Sequence, residues 1–131
     1  MSLVVSGLTT TGLANGDVGY VSSANTMTKT NAAAAASARA YGVNNGIAGE
    51  MQVEGSFLAK FTTAGGSPSA GAAVFLAPST EEAGAAGKLT ATAPTTSGQF
   101  VAQVGICQTN ATYAGAKTAT ILWQPKTVIA L

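Results

Sequence analysis

Hydrophobic and polar residues alternate along several short stretches of this sequence. The clearest is residues 51–58, where Met51, Val53 and Phe57 alternate with polar side chains. The same period-two pattern recurs at residues 18–22, 74–77, 88–92, 100–107 and 118–123. Turn-forming groups separate these stretches, among them Asn15-Gly16-Asp17, Asn44-Asn45-Gly46 and Gly65-Gly66-Ser67-Pro68. Short strands between such turns predict an all-β fold, a compact sandwich or barrel.

The alanine run at residues 32–36, which continues to Ala40, is the one helical candidate. Alanine has the highest helix propensity, which favours at most one short helix here. Only Asn31 offers a cap, and no wide apolar face of larger side chains accompanies the run. The sequence therefore leaves two alternatives open, a short helix or a loop that leads into a strand at residues 41–43.

The chain contains a weak internal repeat. Four phrases recur in the same order, at offsets of 55, 62, 63 and 66 residues. They are Gly16-Asp17-Val18-Gly19-Tyr20-Val21 with Gly71-Ala72-Ala73-Val74-Phe75-Leu76, Met27-Thr28-Lys29-Thr30 with Leu89-Thr90-Ala91-Thr92, Ala40-Tyr41-Gly42-Val43 with Gln103-Val104-Gly105-Ile106, and Ile47-Ala48-Gly49-Glu50 with Tyr113-Ala114-Gly115-Ala116. The changing offset indicates loop insertions between two similar halves. We predict a single β domain over residues 15–125, with half-repeats at about 15–62 and 70–125.

Apolar, β-prone segments flank the predicted domain. We interpret residues 1–14 as an N-terminal arm and residues 126–131 as a C-terminal tail. Such a segment either pairs within its own sheet or adds a strand to a neighbouring protein, and the sequence leaves both open. Trp123 is either a core residue or an interface anchor. The candidate interface residues are Leu3, Val4, Val5, Leu8, Trp123, Val128, Ile129 and Leu131.

The charge content of the chain is low. Only 8 % of residues are charged, against roughly 25 % in an average soluble domain. The net charge is +1 and the six basic residues are scattered, which gives no electrostatic footprint for DNA or RNA. A surface made of Thr, Ser, Asn, Gln, Ala and Gly suits a protein packed into a larger assembly better than a polar-coated monomer.

Neither a membrane partner nor a cleaved leader is expected. A membrane span needs about 20 mostly apolar residues, and no stretch of that length is present. A leader needs a basic n-region, and the first basic residue is Lys29.

Residues suited to catalysis or metal binding are sparse. The chain has no histidine, and its single cysteine, Cys107, follows an apolar run with no basic cluster that would lower its pKa. Glu81 and Glu82 sit in an Ala/Gly loop, where adjacent acids are usually solvated, and Asp17 is expected to make a turn. Residues 84–89 lack the first glycine and the Ser/Thr of a phosphate loop. We therefore expect no enzymatic activity, no cofactor and no metal site.

The repeated phrases resemble small capsid decoration (cement) proteins of tailed bacteriophages. Those that carry the likeness are Gly16-Asp17-Val18-Gly19-Tyr20-Val21, Ala40-Tyr41-Gly42-Val43, Ala70-Gly71-Ala72-Ala73-Val74-Phe75-Leu76, Gly87-Lys88-Leu89-Thr90 and Val104-Gly105-Ile106. The likeness covers roughly residues 15–124.

The resemblance implies a non-enzymatic structural protein of the virion. Made in the host cytoplasm, it would sit as a homotrimer on the outer surface of the expanded capsid and clamp neighbouring subunits of the major capsid protein. Terminal arms in such proteins add strands to the capsid protein or to a sister subunit. The alternative is a tail-fibre or head-fibre module that contacts the host cell surface, because such modules share the Gly-Asp-x-x-Tyr-Val phrasing. An accessory domain of an enzyme is a third class.

Overall fold

The computed structural model describes residues 3–114 and 116–131, and in this part of the chain all regular secondary structure is β-strand. The prediction of an all-β fold is confirmed. The strands are β1 (Leu3–Val5), β2 (Val18–Ser23), β3 (Thr26–Lys29), β4 (Gly42–Val43), β5 (Met51–Glu54), β6 (Ser56–Lys60), β7 (Ala73–Leu76), β8 (Leu89–Thr90), β9 (Phe100–Val101), β10 (Gln103–Cys107), β11 (Thr112–Ala114), β12 (Ala116–Trp123) and β13 (Ile129–Ala130).

The alanine run at 32–36 forms turns, so the helix alternative is wrong and the loop alternative is correct. The Asn31 side-chain oxygen accepts the N–H of Ala33 at 2.9 Å, and the Ser37 hydroxyl donates to the Asn31 carbonyl at 3.0 Å. The backbone of Ala32 bonds to residues distant in sequence, Ala77 and Phe100. These local and long-range bonds use the groups that a helix would need, and they outweigh the propensity of alanine.

The two halves of the chain form two sheets with the same strand order. The first sheet runs β1-β5-β4-β2-β3, with all pairs antiparallel. In the second, Ile121 of β12 pairs with Phe57 of β6 and with Cys107 of β10. These two strands therefore lie on opposite edges of β12, which gives the order β6-β12-β10-β7-β8. A sixth strand, β11, pairs with the first residues of β12 and has no counterpart among the described strands of the first sheet. In each sheet the outer strand, β1 or β6, comes before the four repeated strands in the chain. Next to it lies the last repeated strand, β5 or β12, then β4 or β10, then β2 or β7, and finally β3 or β8.

The sheets curl in the same way. After β1, Thr9 makes a parallel bridge to Thr26 at the start of β3, and after β6, Phe61 makes a parallel bridge to Leu89 in β8. In both cases the segment that follows the outer strand reaches the strand at the far edge of the sheet. Of the repeated phrases, the one at residues 113–116 contains Gly115, which lies outside the described part of the chain.

One hydrophobic cluster combines residues of both sheets. The rings of Phe57 and Trp123 meet at a centroid distance of 5.7 Å and a tilt of 42°, a geometry that aromatic pairs favour. The cluster also contains Val18, Ala32, Val43, Ala59, Phe61, Val74, Leu76, Leu89, Ala102, Val104, Cys107, Ala119 and Ile121.

Gly42 and Gly105 hold equivalent positions in the two sheets, on β4 and β10. A Cβ on Gly42 would lie 2.5 Å from the carbonyl oxygen of Gln52, and a Cβ on Gly105 would approach the carbonyl oxygen of Leu122 more closely still. The neighbouring strand therefore packs directly against each glycine, because only a residue without a side chain leaves room for that backbone.

We predict that Gly42→Ala and Gly105→Ala each lower the free energy of unfolding by about 1–3 kcal/mol, the usual cost of overpacking. Gly12→Ala is the matched control, because no atom lies within 4 Å of its Cβ position. Urea denaturation followed by tryptophan fluorescence measures all three variants. Equal stability of Gly105→Ala and Gly12→Ala would contradict the close approach.

Candidate functional site

The N-terminal segment forms the outer strand of the first sheet. β1 pairs with β5 on one edge, and among the described residues no backbone hydrogen bond reaches its other edge. Leu3 and Val4 are 52 % and 39 % exposed, while Val5 and Leu8 are half-buried. In the single chain the segment therefore pairs within its own sheet and presents two apolar side chains to solvent.

The C-terminal segment is also held by the fold. β13 pairs with β9, the N–H of Lys126 donates to the Gln103 carbonyl at 2.9 Å, and the N–H of Leu131 donates to the Gln99 carbonyl at 3.0 Å. Three apolar side chains of this segment remain exposed, namely Val128, Ile129 and Leu131. They lie beside β9, whereas Leu3 and Val4 lie on the first sheet. The predicted interface residues thus form two separate surfaces, which we call the N-terminal edge (Leu3, Val4) and the C-terminal edge (Val128, Ile129, Leu131).

Trp123 does not belong to either exposed surface. It is 7 % exposed and packs against Phe57, so of its two alternatives the core position is the one found in the single chain. Its placement among the candidate interface residues is therefore corrected. The alternation in residues 118–123 contained the signal, because Ala119, Ile121 and Trp123 share one face of β12 and all three are buried.

Leu8 lines a groove that the sequence did not indicate. The groove encloses about 470 Å³ between residues 8–15 and 44–49. The hydroxyl oxygen of Thr10 accepts the N–H of Gly49 at 2.9 Å and fixes the two segments at its base. Ile47 is 54 % exposed beside it. Sequence spacing does not bring these segments together, since they meet through the pairing of β1 with β5 and of β2 with β4.

The acidic residues bond to the protein's own backbone and side chains. The carboxylate of Glu81 accepts hydrogen bonds from the hydroxyls of Thr62 and Thr90, the latter at 3.1 Å. Glu82 accepts the N–H of Ala64 at 2.7 Å and lies 3.6 Å from the Lys88 ammonium. The expectation that these two acids are simply solvated is therefore wrong. They tie the loop after β6 to the loop before β8.

Asp17 makes the predicted turn and adds an ion pair. Its carboxylate accepts the N–H of Ala14 at 2.8 Å and lies 3.5 Å from the ammonium of Lys60, with the Asp17 side chain 4 % exposed. Because Lys60 ends β6, the pair connects the start of the first half to the outer strand of the second.

Lys117 is a buried lysine that sequence reasoning missed. It is 4 % exposed, and its ammonium donates to the carbonyl oxygen of Gly66 at 2.6 Å. It therefore fixes the loop that follows β6 from the side of β12.

Comparison of the chain with protein-family models, with curated proteins and with solved structures finds no match. Within residues 3–114 and 116–131, no three His, Cys, Asp or Glu side chains are grouped so that they could hold a metal ion. The same residues contain no helical segment with the length and hydropathy of a membrane span.

Cys107 is expected to be unreactive in the folded protein. It is 1 % exposed, and burial raises the pKa of its thiol, so less thiolate is present at pH 8 than for a free cysteine. We predict no reaction with Ellman's reagent at pH 8 in buffer and one equivalent of thiol in 6 M guanidinium chloride. Rapid modification of the native protein would show that β10 opens under native conditions.

Substitution should change the free energy of unfolding little at the terminal edges and strongly at the core residue Trp123. We predict that Leu3→Lys and Ile129→Lys change the free energy of unfolding by no more than about 0.5 kcal/mol, as is usual for surface positions. Trp123→Ala should cost about 3–5 kcal/mol, because it leaves a cavity beside Phe57. Guanidinium denaturation followed by circular dichroism measures the series. A large loss in Ile129→Lys would show that β13 is a core element.

Proposed function

We propose that this protein is a non-enzymatic structural component of a phage virion. It binds the outer surface of the expanded capsid, clamps neighbouring subunits of the major capsid protein and so stabilises the shell. The observation that carries the proposal is the pair of exposed apolar edges at the two ends of the chain, the N-terminal and C-terminal edges. The resemblance of the repeated phrases to capsid decoration proteins is the reason for proposing the major capsid protein as the partner.

The N-terminal edge has the chemistry for strand addition. An outer strand with one unpaired edge offers main-chain hydrogen bonds to an incoming strand, and apolar side chains add contact area. β1 combines both features through its free edge and through Leu3 and Val4. The C-terminal edge offers a second apolar contact on the separate strand pair of β9 and β13.

The ion pairs of the chain favour apolar over electrostatic recognition. Asp17 pairs with Lys60 and Glu82 with Lys88, so these four charges are already compensated within the fold. Because only 8 % of residues are charged and these four are paired internally, shell binding should weaken only slightly when salt screens electrostatic attraction.

Stabilisation follows from binding the assembled shell and not its separated subunits. A homotrimer multiplies weak contacts through avidity, because each further contact is made at high effective concentration. No cofactor or nucleic acid takes part in this mechanism.

A fibre module that contacts the host cell surface is the second candidate. The observation that favours it is a surface cluster of Tyr20, Tyr41 and Arg39. Aromatic and arginine side chains are enriched at the centres of recognition sites, so the cluster supplies a contact that the capsid proposal does not use.

Co-sedimentation with phage shells tests the proposal. The purified chain is mixed with expanded shells, unexpanded shells and host cells, and the bound fraction is measured at 50 and 500 mM NaCl. We predict binding to expanded shells that saturates at a fixed ratio to capsid subunits and weakens little with salt. Binding to cells and not to shells would reject the capsid function in favour of the fibre function.

Point variants identify the contact surface. Val4→Lys and Ile129→Lys should each reduce shell affinity at least about tenfold, because a charge would be buried in an apolar contact. Leu58→Lys is the matched control, since Leu58 is 45 % exposed on β6, outside both edges. Substitution is preferable to deletion of residues 1–14, which would remove β1 and the Thr10–Gly49 hydrogen bond. Equal affinity of all three variants would disprove the role of the edges.

A further inference from the structure

Tyr20 of β2 and Tyr41, the residue before β4, line one groove of the first sheet. Gly19 of β2 pairs with Gly42 of β4, and the N–H of Tyr41 donates to the Gly19 carbonyl at 2.8 Å. Both tyrosines line the same groove, so their side chains are neighbours. Both tyrosines are half-buried, and each lies two residues from a buried valine, Val18 or Val43. The groove they line is therefore supported by a packed sheet.

Arg39 completes this groove. Its guanidinium carbon lies 6.0 Å from the centre of the Tyr20 ring, and its Nε donates to the Ala36 carbonyl at 2.9 Å. The cation–π contact and this hydrogen bond orient the guanidinium plane. Among the residues that the structure describes, no carboxylate pairs with Arg39, and its two Nη groups make no hydrogen bond. The groove therefore presents an oriented cation with four N–H donors that the fold does not use.

The dimensions of the groove restrict its occupant. It encloses about 170 Å³, which is below the roughly 300–1,000 Å³ of clefts that take drug-sized ligands. A single ring fits this space, with further units of a longer ligand outside it. Tyrosine rings provide an apolar face for the C–H bonds of a sugar ring, and their hydroxyls provide hydrogen bonds. A guanidinium group binds carboxylate through two parallel hydrogen bonds.

We propose that the groove formed by Tyr20, Arg39 and Tyr41 binds one carboxylate-bearing pyranose unit of a surface glycan. The carboxylate pairs with the Nη groups of Arg39, and one face of the sugar ring packs on a tyrosine. Hexuronate and sialate units share this chemistry. The site would bind the glycan whether the protein belongs to a capsid or to a fibre, so this inference does not rest on the proposed function.

An NMR titration of the full chain tests the site with defined probes. Backbone amide shifts of the ¹⁵N-labelled protein are followed during addition of methyl glucuronoside, methyl sialoside, methyl glucoside or sodium acetate. We expect saturable shifts centred on Tyr20, Arg39 and Tyr41 with at least one acidic sugar, which identifies the source. The neutral glucoside and the bare carboxylate should each bind at least about tenfold more weakly, since each lacks one of the two contacts.

Three variants separate the site from general electrostatics. Arg39→Gln should weaken binding at least about tenfold, because it removes a charge-assisted pair, and Tyr41→Ala should weaken it through the lost ring contact. Lys126→Gln is the matched control, because it removes one positive charge from an exposed position outside the groove. No saturable shift at tens of millimolar sugar would overturn the proposal. So would equal binding of acetate, or unchanged affinity of Arg39→Gln.

Discussion

The passage of the chain between its two sheets at Gly55 is the constraint on which both halves depend. β5 belongs to the first sheet and β6 to the second, and only Gly55 separates them. Its φ of +102° is a conformation that side chains rarely permit, and its carbonyl accepts the N–H of Trp123 at 2.9 Å. A register shift of β6 against β12 would therefore shift β5 against its own neighbours. One residue thus couples the registers of both sheets.

The shared core follows from this coupling. Phe57 lies two residues after Gly55 and meets Trp123, while Val18 and Val43 bring the first sheet into the same cluster. Backbone bonds reinforce the contact, because Gly87 accepts the N–H of Val18 and donates to the carbonyl of Thr30. A chain with few charges and many small side chains thus obtains its stability from close strand packing and from internal hydrogen bonds of threonine and glutamate.

Sequence reasoning predicted the features that depend on local pattern. The alternation at residues 51–58 indicated strands, and the structure places β5 and β6 there. The repeated phrases around Gly42 and Gly105 correspond to a shared physical role, the close approach of a neighbouring strand. Features that depend on distant contacts were missed. The bonds of Ala32 to Ala77 and Phe100 override helix propensity, and the bonds of Glu81 to Thr62 and Thr90 arise only after the sheet has curled.

The exposure of the N-terminal edge has a structural explanation in the comparison of the two outer strands. In the second sheet the outer strand β6 is tied at its end to the first half, because Lys60 donates its N–H to the Gly16 carbonyl and pairs with Asp17. In the first sheet, no described residue takes the corresponding position beside β1. The same strand order therefore leaves one outer strand tied at its end and the other open along its outer edge. An open edge with apolar side chains is a liability for a protein alone in solution and is suited to a protein that docks. The proposed strand addition thus uses the open edge of β1, to which no described residue of the second half bonds.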